Sequence, residues 1–398
     1  MDTARASTFE EHMRAKSVRL AKRNDFVYIK ECIAPASWTL PSHASIFTGL
    51  YPKQHGAHET KSIKGLNIDQ IRLRLGTFLS DLKQIGYTTY GISANPYIHP
   101  IYGFDEFDHF REESYFTDMH GRVLEISNEL KPKVSKYRNM VIGENDSNLA
   151  VIMKLVRKIG VDDPALLMNM IASGIVLTPI AALKKFKAKY IEGWPVEKGG
   201  SNIVNEIRNT KFGKHFFLFV NLMEAHEPYI GKKELDFSWA TPFLKEKIDR
   251  AALEKGKRIY NYAVKKAADY AYEIAEEAIK KGGENTVVII TSDHGQEFGE
   301  HGFVGHGSVL HDEVVKVPLV IMAPKGISRK LGKGVASLTN VRKFISSLIE
   351  EEKEPLAALY SKSAYSESFG VPANLRNVKG IDLKKLESYE RYSKRSFR

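Results

Sequence analysis

The stretch Asn285 to Gly295, NTVVIITSDHG, constrains the fold more than any other part of this chain. Val287 to Ile290 is an unbroken apolar, β-branched run with no polar face, as expected of a strand covered on both sides, and it ends abruptly in Ser292, Asp293 and His294. His215 to Leu222, HFFLFVNL, repeats the pattern and delivers Glu224, His226 and Tyr229 at its carboxyl end. Strand-like DFVYIK from Asp25, YTTYGISA from Tyr87, VPLVIMAP from Val317 and AYSE from Ala364 alternate with helix-like stretches. One of these, LGTFLSDLKQIG, sets Leu75, Phe78, Leu79, Leu82 and Ile85 at helical spacing and closes on Gly86; another runs from about 243 to 281. The alternation predicts an α/β fold with a mostly parallel central sheet flanked by helices, where ligands collect at the carboxyl ends of strands.

The span from about 111 to 210 breaks this rhythm. It reads as a mainly helical, basic insertion in a catalytic domain covering 1–330, with a helical and strand segment at 331–398 that is expected to be incomplete. Within it, Pro164 to Leu183 is uncharged over a length that could cross a bilayer, yet it holds Pro179 and is flanked by acidic and basic residues. Helices packed in protein are expected there, with peripheral membrane contact as the open alternative. The net charge of +11 favours anionic partners. The basic runs are scattered without interleaved aromatics, so nucleic acid is not expected. Cys32 stands alone, which excludes an internal disulfide or a cysteine zinc cluster and fits a cytoplasmic, reducing setting. No cleavable signal peptide is read at the start, and a homo-oligomer stays open.

Asp293 and His294, adjacent at a strand end, are the donor types that hold Zn, Mn, Mg or Ca on stiff backbone. The glycine-rich GQEFGEHGFVGHG that follows could bring His301 and His306 to the same place, or be a mobile loop with exposed histidines. Thr39, in WTLPSHASIFTGLYPKQHG, is either a reactive hydroxyl or a helix N-cap. For His43, His55, His58 and His99, structural roles compete equally with ligation.

Three blocks, TLPSHASIFTGLYPKQHG, FVNLMEAHEPY and VVIITSDHGQEFGEHGFVGHGSVLHDEVVKVPLVI, resemble in sequence and order the sulfatase family of the alkaline phosphatase superfamily, with a match traceable from Asp2 to about Glu367. In that family the first block opens with a Cys or Ser that becomes formylglycine, followed by any residue, Pro, Ser and Arg. This chain has Thr39-Leu40-Pro41-Ser42-His43. The resemblance implies an alkaline-phosphatase-like fold, a divalent metal on Asp2, Asp293 and His294, and catalytic roles for Thr39, His226, His306 and His43. Asn95 and Glu224 become candidate substrate-binding residues, and a second ion on Glu224, His226 and His306 is conceivable. Family members also have an apolar strand before the Asp2 position and a small sheet after the last block, and a shortened chain is the expectation here.

Threonine has no route to an aldehyde hydrate, but its hydroxyl can attack phosphorus once metal-bound, as in superfamily phosphodiesterases and phosphoglycerol transferases. The expected activity is therefore metal-dependent hydrolysis or transfer of phosphoesters or phosphodiesters, on a small-molecule or lipid-linked anionic substrate. Sulfuric ester hydrolysis is the alternative within the class, and a non-catalytic binding protein on the same scaffold the alternative outside it.

Overall fold

The protein is described by a computed structural model at residues 1–12, 26–59, 68–113, 137, 140, 148–168, 198–227, 243–245, 249–371, 375, 379–390 and 394–397. Residues 1–113 with 195–398 form one compact unit, and 114–194 a second. The strands, all in the first unit, are β1 Phe26–Ile33, β2 Thr88–Ser93, β3 His109–Glu112, β4 Phe216–Asn221, β5 Val288–Thr291, β6 Glu297–Phe298, β7 Val304–Gly305, β8 Lys316–Met322, β9 Val335–Ser337, β10 Tyr360–Ser361, β11 Tyr365–Ser368 and β12 Lys394–Phe397. The principal helices are α1 Thr39–Thr48, α2 Phe78–Gln84, α3 Asn148–Asp162, α4 Gly200–Asn209, α5 Arg250–Gly282, α6 Asp312–Val315, α7 Val341–Ile349 and α8 Leu383–Glu390, with α3 in the second unit.

The α/β class expected from the alternating runs is the observed one. One sheet has the order β3-β2-β4 with every pair parallel, and a five-stranded sheet has the order β10-β9-β1-β8-β5. The expectation of a mostly parallel sheet holds in the first and needs refinement in the second. There β8 is antiparallel to both β1 and β5, and β10 is antiparallel to β9. The reason is the link between β5 and β8. A parallel return needs a crossover to the far end of the sheet, usually a helix, whereas here the chain makes the small β6–β7 hairpin and the one-turn α6 and re-enters from the same end. Near the carboxyl terminus, β11 and β12 form a two-stranded antiparallel ribbon.

The main core lies between α1, α2, α7 and the inner faces of the sheets. Phe47 of α1 is its hub: it stacks on Phe78 at 5.1 Å and meets Phe104, Phe107 and Phe219 edge to face. Each such ring contributes roughly 1.5–3 kcal/mol by leaving water, and together they fix the helix that carries Thr39. In α2, Thr77 caps the N-terminus by accepting from the Leu79 amide, and Phe78, Leu79 and Leu82 are buried as their spacing requires. Leu75 and Ile85 flank the helix and are exposed, because the short helix ends before the stripe reaches them.

In the second unit, Leu155 and Ile159 of α3 pack with Leu166, and Asp163 Oδ1 accepts from the Leu166 amide at 3.0 Å to start the next turn. The expected packing of Pro164 to Leu183 and the break at Pro179 fall largely outside the described residues. Among the described residues no helix is long and apolar enough to cross a membrane.

Candidate active site

Three chain segments meet where β4 and β5 end. Met1 and Asp2 lie between the two strand ends: the Met1 amino group donates to the Thr291 carbonyl at 2.8 Å, and the Asp2 amide to the Leu222 carbonyl at 2.9 Å. The Ala4 amide donates to Ser292 Oγ at 2.7 Å. α1 supplies the third wall, with all ten of its residues buried. Its N-cap is Trp38, which makes no side-chain cap, and Thr39 is the first helical residue. The N-cap alternative for Thr39 is thereby excluded. Its hydroxyl donates instead to Asp2 Oδ2 at 3.2 Å, and the Asn95 amide donates to both Asp2 Oδ2 at 2.6 Å and Thr39 Oγ1 at 3.1 Å.

Asp2, Asp293 and His294 bring one donor atom each to within 4.8 Å of one another, and all three are buried. Asp293 Oδ1 is held by the His294 amide at 3.0 Å, while its Oδ2 lies 3.5 Å from both His294 Nε2 and His43 Nδ1. The His294 Nδ1 edge donates to the Gly295 carbonyl at 2.9 Å, which turns Nε2 towards the two carboxylates. Asp2 Oδ1, Asp293 Oδ2 and His294 Nε2 have no hydrogen-bond partner among the described residues. Buried polar atoms are nearly always satisfied, so two carboxylate oxygens and an imidazole nitrogen converging without hydrogen-bond partners form a donor set that could hold a divalent cation. Burial raises the Asp2 pKa, but the nearby His226 and His294 and the Asn95 bond outweigh it and hold the carboxyl below its ordinary value.

A second group faces the first. His226, Glu227 and His306 also bring donor atoms within 4.8 Å of one another. The rings of His226 and His306 lie 5.0 Å apart, and those of His294 and His306 4.5 Å. Burial, with His294 and His226 alongside, pushes the His306 pKa well below its usual value, so the ring is neutral; its Nδ1 lies 2.6 Å from Gln296 Oε1. The Lys198 ammonium is buried and donates to the His226 carbonyl.

The sequence reading needs correction at several points. Glu224 does not join this group: its Oε1 accepts from the Gly200 amide at 2.9 Å and so anchors the start of α4. Glu227, one residue past His226, takes the place imagined for it. Asn95, for which substrate binding is the expectation, lies in this site and donates to Asp2 and Thr39. His301 does not approach His306's site; it is half exposed and paired with Glu313. His43 Nδ1 bonds the Thr39 carbonyl at 3.0 Å, one helical turn back. His55 contacts Ser45, His58 stacks on Phe369, and His99 caps a 3₁₀ turn, all structural roles. Tyr229 lies outside the described residues. Lys198 carries no motif and only its neighbours in space mark it, whereas Glu227 stands in the block FVNLMEAHEPY, where the sequence reading passes over it.

Glu59, also unmarked in the sequence, supports the helix start. It accepts from Trp38 Nε1 at 2.6 Å and the Phe369 amide at 2.8 Å, and burial outweighs these bonds and pushes its pKa up to about 7 from 4.5. A carboxyl that holds its proton more tightly when folded favours folding below its unfolded pKa, and that contribution is lost as pH rises through the folded value. Glu59→Gln leaves one of those two donors facing an NH₂ group, so it is expected to be less stable than wild type near pH 4.5 and to recover relative to it up to about pH 8, by about 3 kcal/mol at most. Thermal melts across this range check it; a difference that does not change with pH would assign the effect elsewhere.

The Sulfatase family model matches residues 2–350. A curated protein, the uncharacterized sulfatase YidJ of Escherichia coli strain K12, is 38% identical over 55 residues, which are 14% of this chain and 11% of that protein's length. Among solved structures, the phosphonate monoester hydrolase of Agrobacterium radiobacter superposes with a TM-score of 0.55 at 14% identity, covering 98% of this chain and 81% of that one. A 2-O GAG sulfatase superposes with a TM-score of 0.51 at 13% identity, covering 87% and 70%. At these identities the superpositions speak for the fold.

Proposed function

The chain belongs to the sulfatase family, hydrolase-type enzymes of the alkaline phosphatase superfamily, and from that premise we propose that it cleaves or transfers phosphoesters or phosphodiesters, with Thr39 as nucleophile and a divalent cation on Asp2, Asp293 and His294. One observation carries the reading. A threonine hydroxyl stands at the buried N-terminus of α1, bonded to Asp2 and Asn95, where the family has the residue that becomes formylglycine. The unpartnered donor atoms of Asp2, Asp293 and His294 fit Zn, Mn, Mg or Ca. When bound, the cation would lower the hydroxyl pKa and offset charge on the ester oxygens.

The chain's own groups do the rest. Asp2 Oδ2, which already accepts the Thr39 hydroxyl, takes its proton as the Oγ1–phosphorus bond forms and the bond from phosphorus to the leaving oxygen breaks. The leaving alkoxide is protonated by water. Asn95 keeps both oxygens in register for this exchange. The α1 N-terminus and the Lys198 ammonium add positive potential, and His226 and His306 face the non-bridging oxygens. Water or an acceptor alcohol then displaces Thr39 from phosphorus and gives its proton to the hydroxide left by the first step, while Asp2 returns its proton to Thr39 Oγ1 and the hydroxyl is restored. A small or lipid-linked anionic ester suits the net positive charge.

The test is turnover of matched aryl phosphate, phosphodiester and sulfate by the purified protein, with each of the four cations in turn. Phosphoester turnover is expected to exceed that of the aryl sulfate by a factor of about 100 or more, equivalent to about 2.7 kcal/mol in barrier height. Equal or faster sulfate turnover, with Thr39 unmodified by mass spectrometry, would overturn the assignment. Absence of both turnover and bound metal would instead favour a binding protein on this scaffold.

A further inference from the structure

The β6–β7 hairpin and α6 bring together a third cluster of histidine and carboxylate donors. Glu297 is fully buried on β6. Its Oε2 lies 2.9 Å from His311 Nδ1, and its Oε1 accepts from the His301 amide at 3.0 Å. Donor atoms of Glu297, His301 and His311 fall within 4.8 Å of one another. Gly295 makes this possible: a side chain there would meet the Glu313 carbonyl at 2.1 Å, so only glycine lets the loop lie flat on α6.

We propose that Glu297, His301 and His311 form a second divalent-cation site of the zinc class, separate from the one at Asp293. Two imidazoles and a carboxylate are a common zinc donor set, and three protein ligands leave a fourth position for water. The His301 and His311 rings lie 4.2 Å apart, close enough for both imidazoles to serve one ion. His301 Nε2 is in turn held by Glu313 Oε2 at 3.0 Å, the carboxylate-to-imidazole support that metal-bound histidines usually have. Both rings reach solvent, with side chains 47% and 36% exposed, so a cation has a way in, while Glu297 is sealed beneath them. A cation there would pin the hairpin to α6. The adjacent Gln296 contacts His306, so the pinned hairpin is also the support of the active site.

The experiment is equilibrium dialysis of the full chain against Zn²⁺, read as zinc per chain and as the rise in Tm with zinc. Wild type, His301→Gln and His311→Gln are compared, with all ligands at Asp2, Asp293 and His294 intact. Each variant is expected to bind one zinc fewer and to lose part of the rise in Tm. Glu313→Gln, which alters only the support, is expected to weaken this one zinc by about 10-fold or more and leave the stoichiometry at saturation unchanged. Equal zinc content in wild type and either histidine variant overturns the proposal. Should His311→Gln not fold, His301→Gln, at the more exposed position, decides alone.

Discussion

Replacing Thr39 by alanine is expected to lower kcat/KM on a phosphodiester by at least about 1,000-fold, a loss of about 4 kcal/mol in transition-state stabilisation. The reason is specific to one atom. Oγ1 sits at the start of a buried helix, hydrogen-bonded to Asp2 and to Asn95, and it makes no cap whose loss would unravel the helix. Removing it should therefore cost the fold about 2 kcal/mol, two hydrogen bonds, while removing the proposed attacking group. Thr39→Ser keeps the hydroxyl and should stay within about tenfold of wild type. Acid-quenched turnover mixtures should contain phosphothreonine at position 39 in wild type and none in the alanine variant. A Thr39→Ala enzyme with near-normal kcat would mean that water attacks directly and that Thr39 only holds Asp2 in place.

The parts of this site legible in the sequence were those attached to a strand end. The Asp293–His294 pair followed an apolar run too short and too β-branched to be a helix, and Thr39 stood in a block whose order matched a family. Strand direction was not legible: VPLVIMAP has the composition of a buried strand either way, and only the hairpin before it turned β8 antiparallel. Glu59 and Lys198 look like any surface charge along the chain. Their significance comes from burial, which depends on residues remote in sequence, as Glu59 meeting both Trp38 and Phe369 illustrates. His301 and His306 are five residues apart on one glycine-rich loop, yet they serve different clusters, because the β6–β7 hairpin turns one inward and leaves the other near the surface.

Asp293→Asn is expected to remove the proposed active-site cation and nearly all activity, and to lose most of its effect on stability when metal is withdrawn. The substitution keeps shape and the Oδ1 contact with the His294 amide, and changes only the charge at Oδ2. With metal present, wild type gains the free energy of binding, about 4 kcal/mol when free metal is about 1,000-fold above its Kd. The variant forfeits most of this and should melt lower. In chelator most of this margin should disappear, because Asp293 Oδ2 then has no cation to bind while asparagine keeps the Oδ1 contact. The measurement is Tm for both proteins with saturating Zn²⁺ and with chelator, alongside metal per chain. A variant that melts below wild type by the same margin in both conditions would mean that Asp293 serves the fold rather than a cation, and the metal site proposed around it would have to be abandoned.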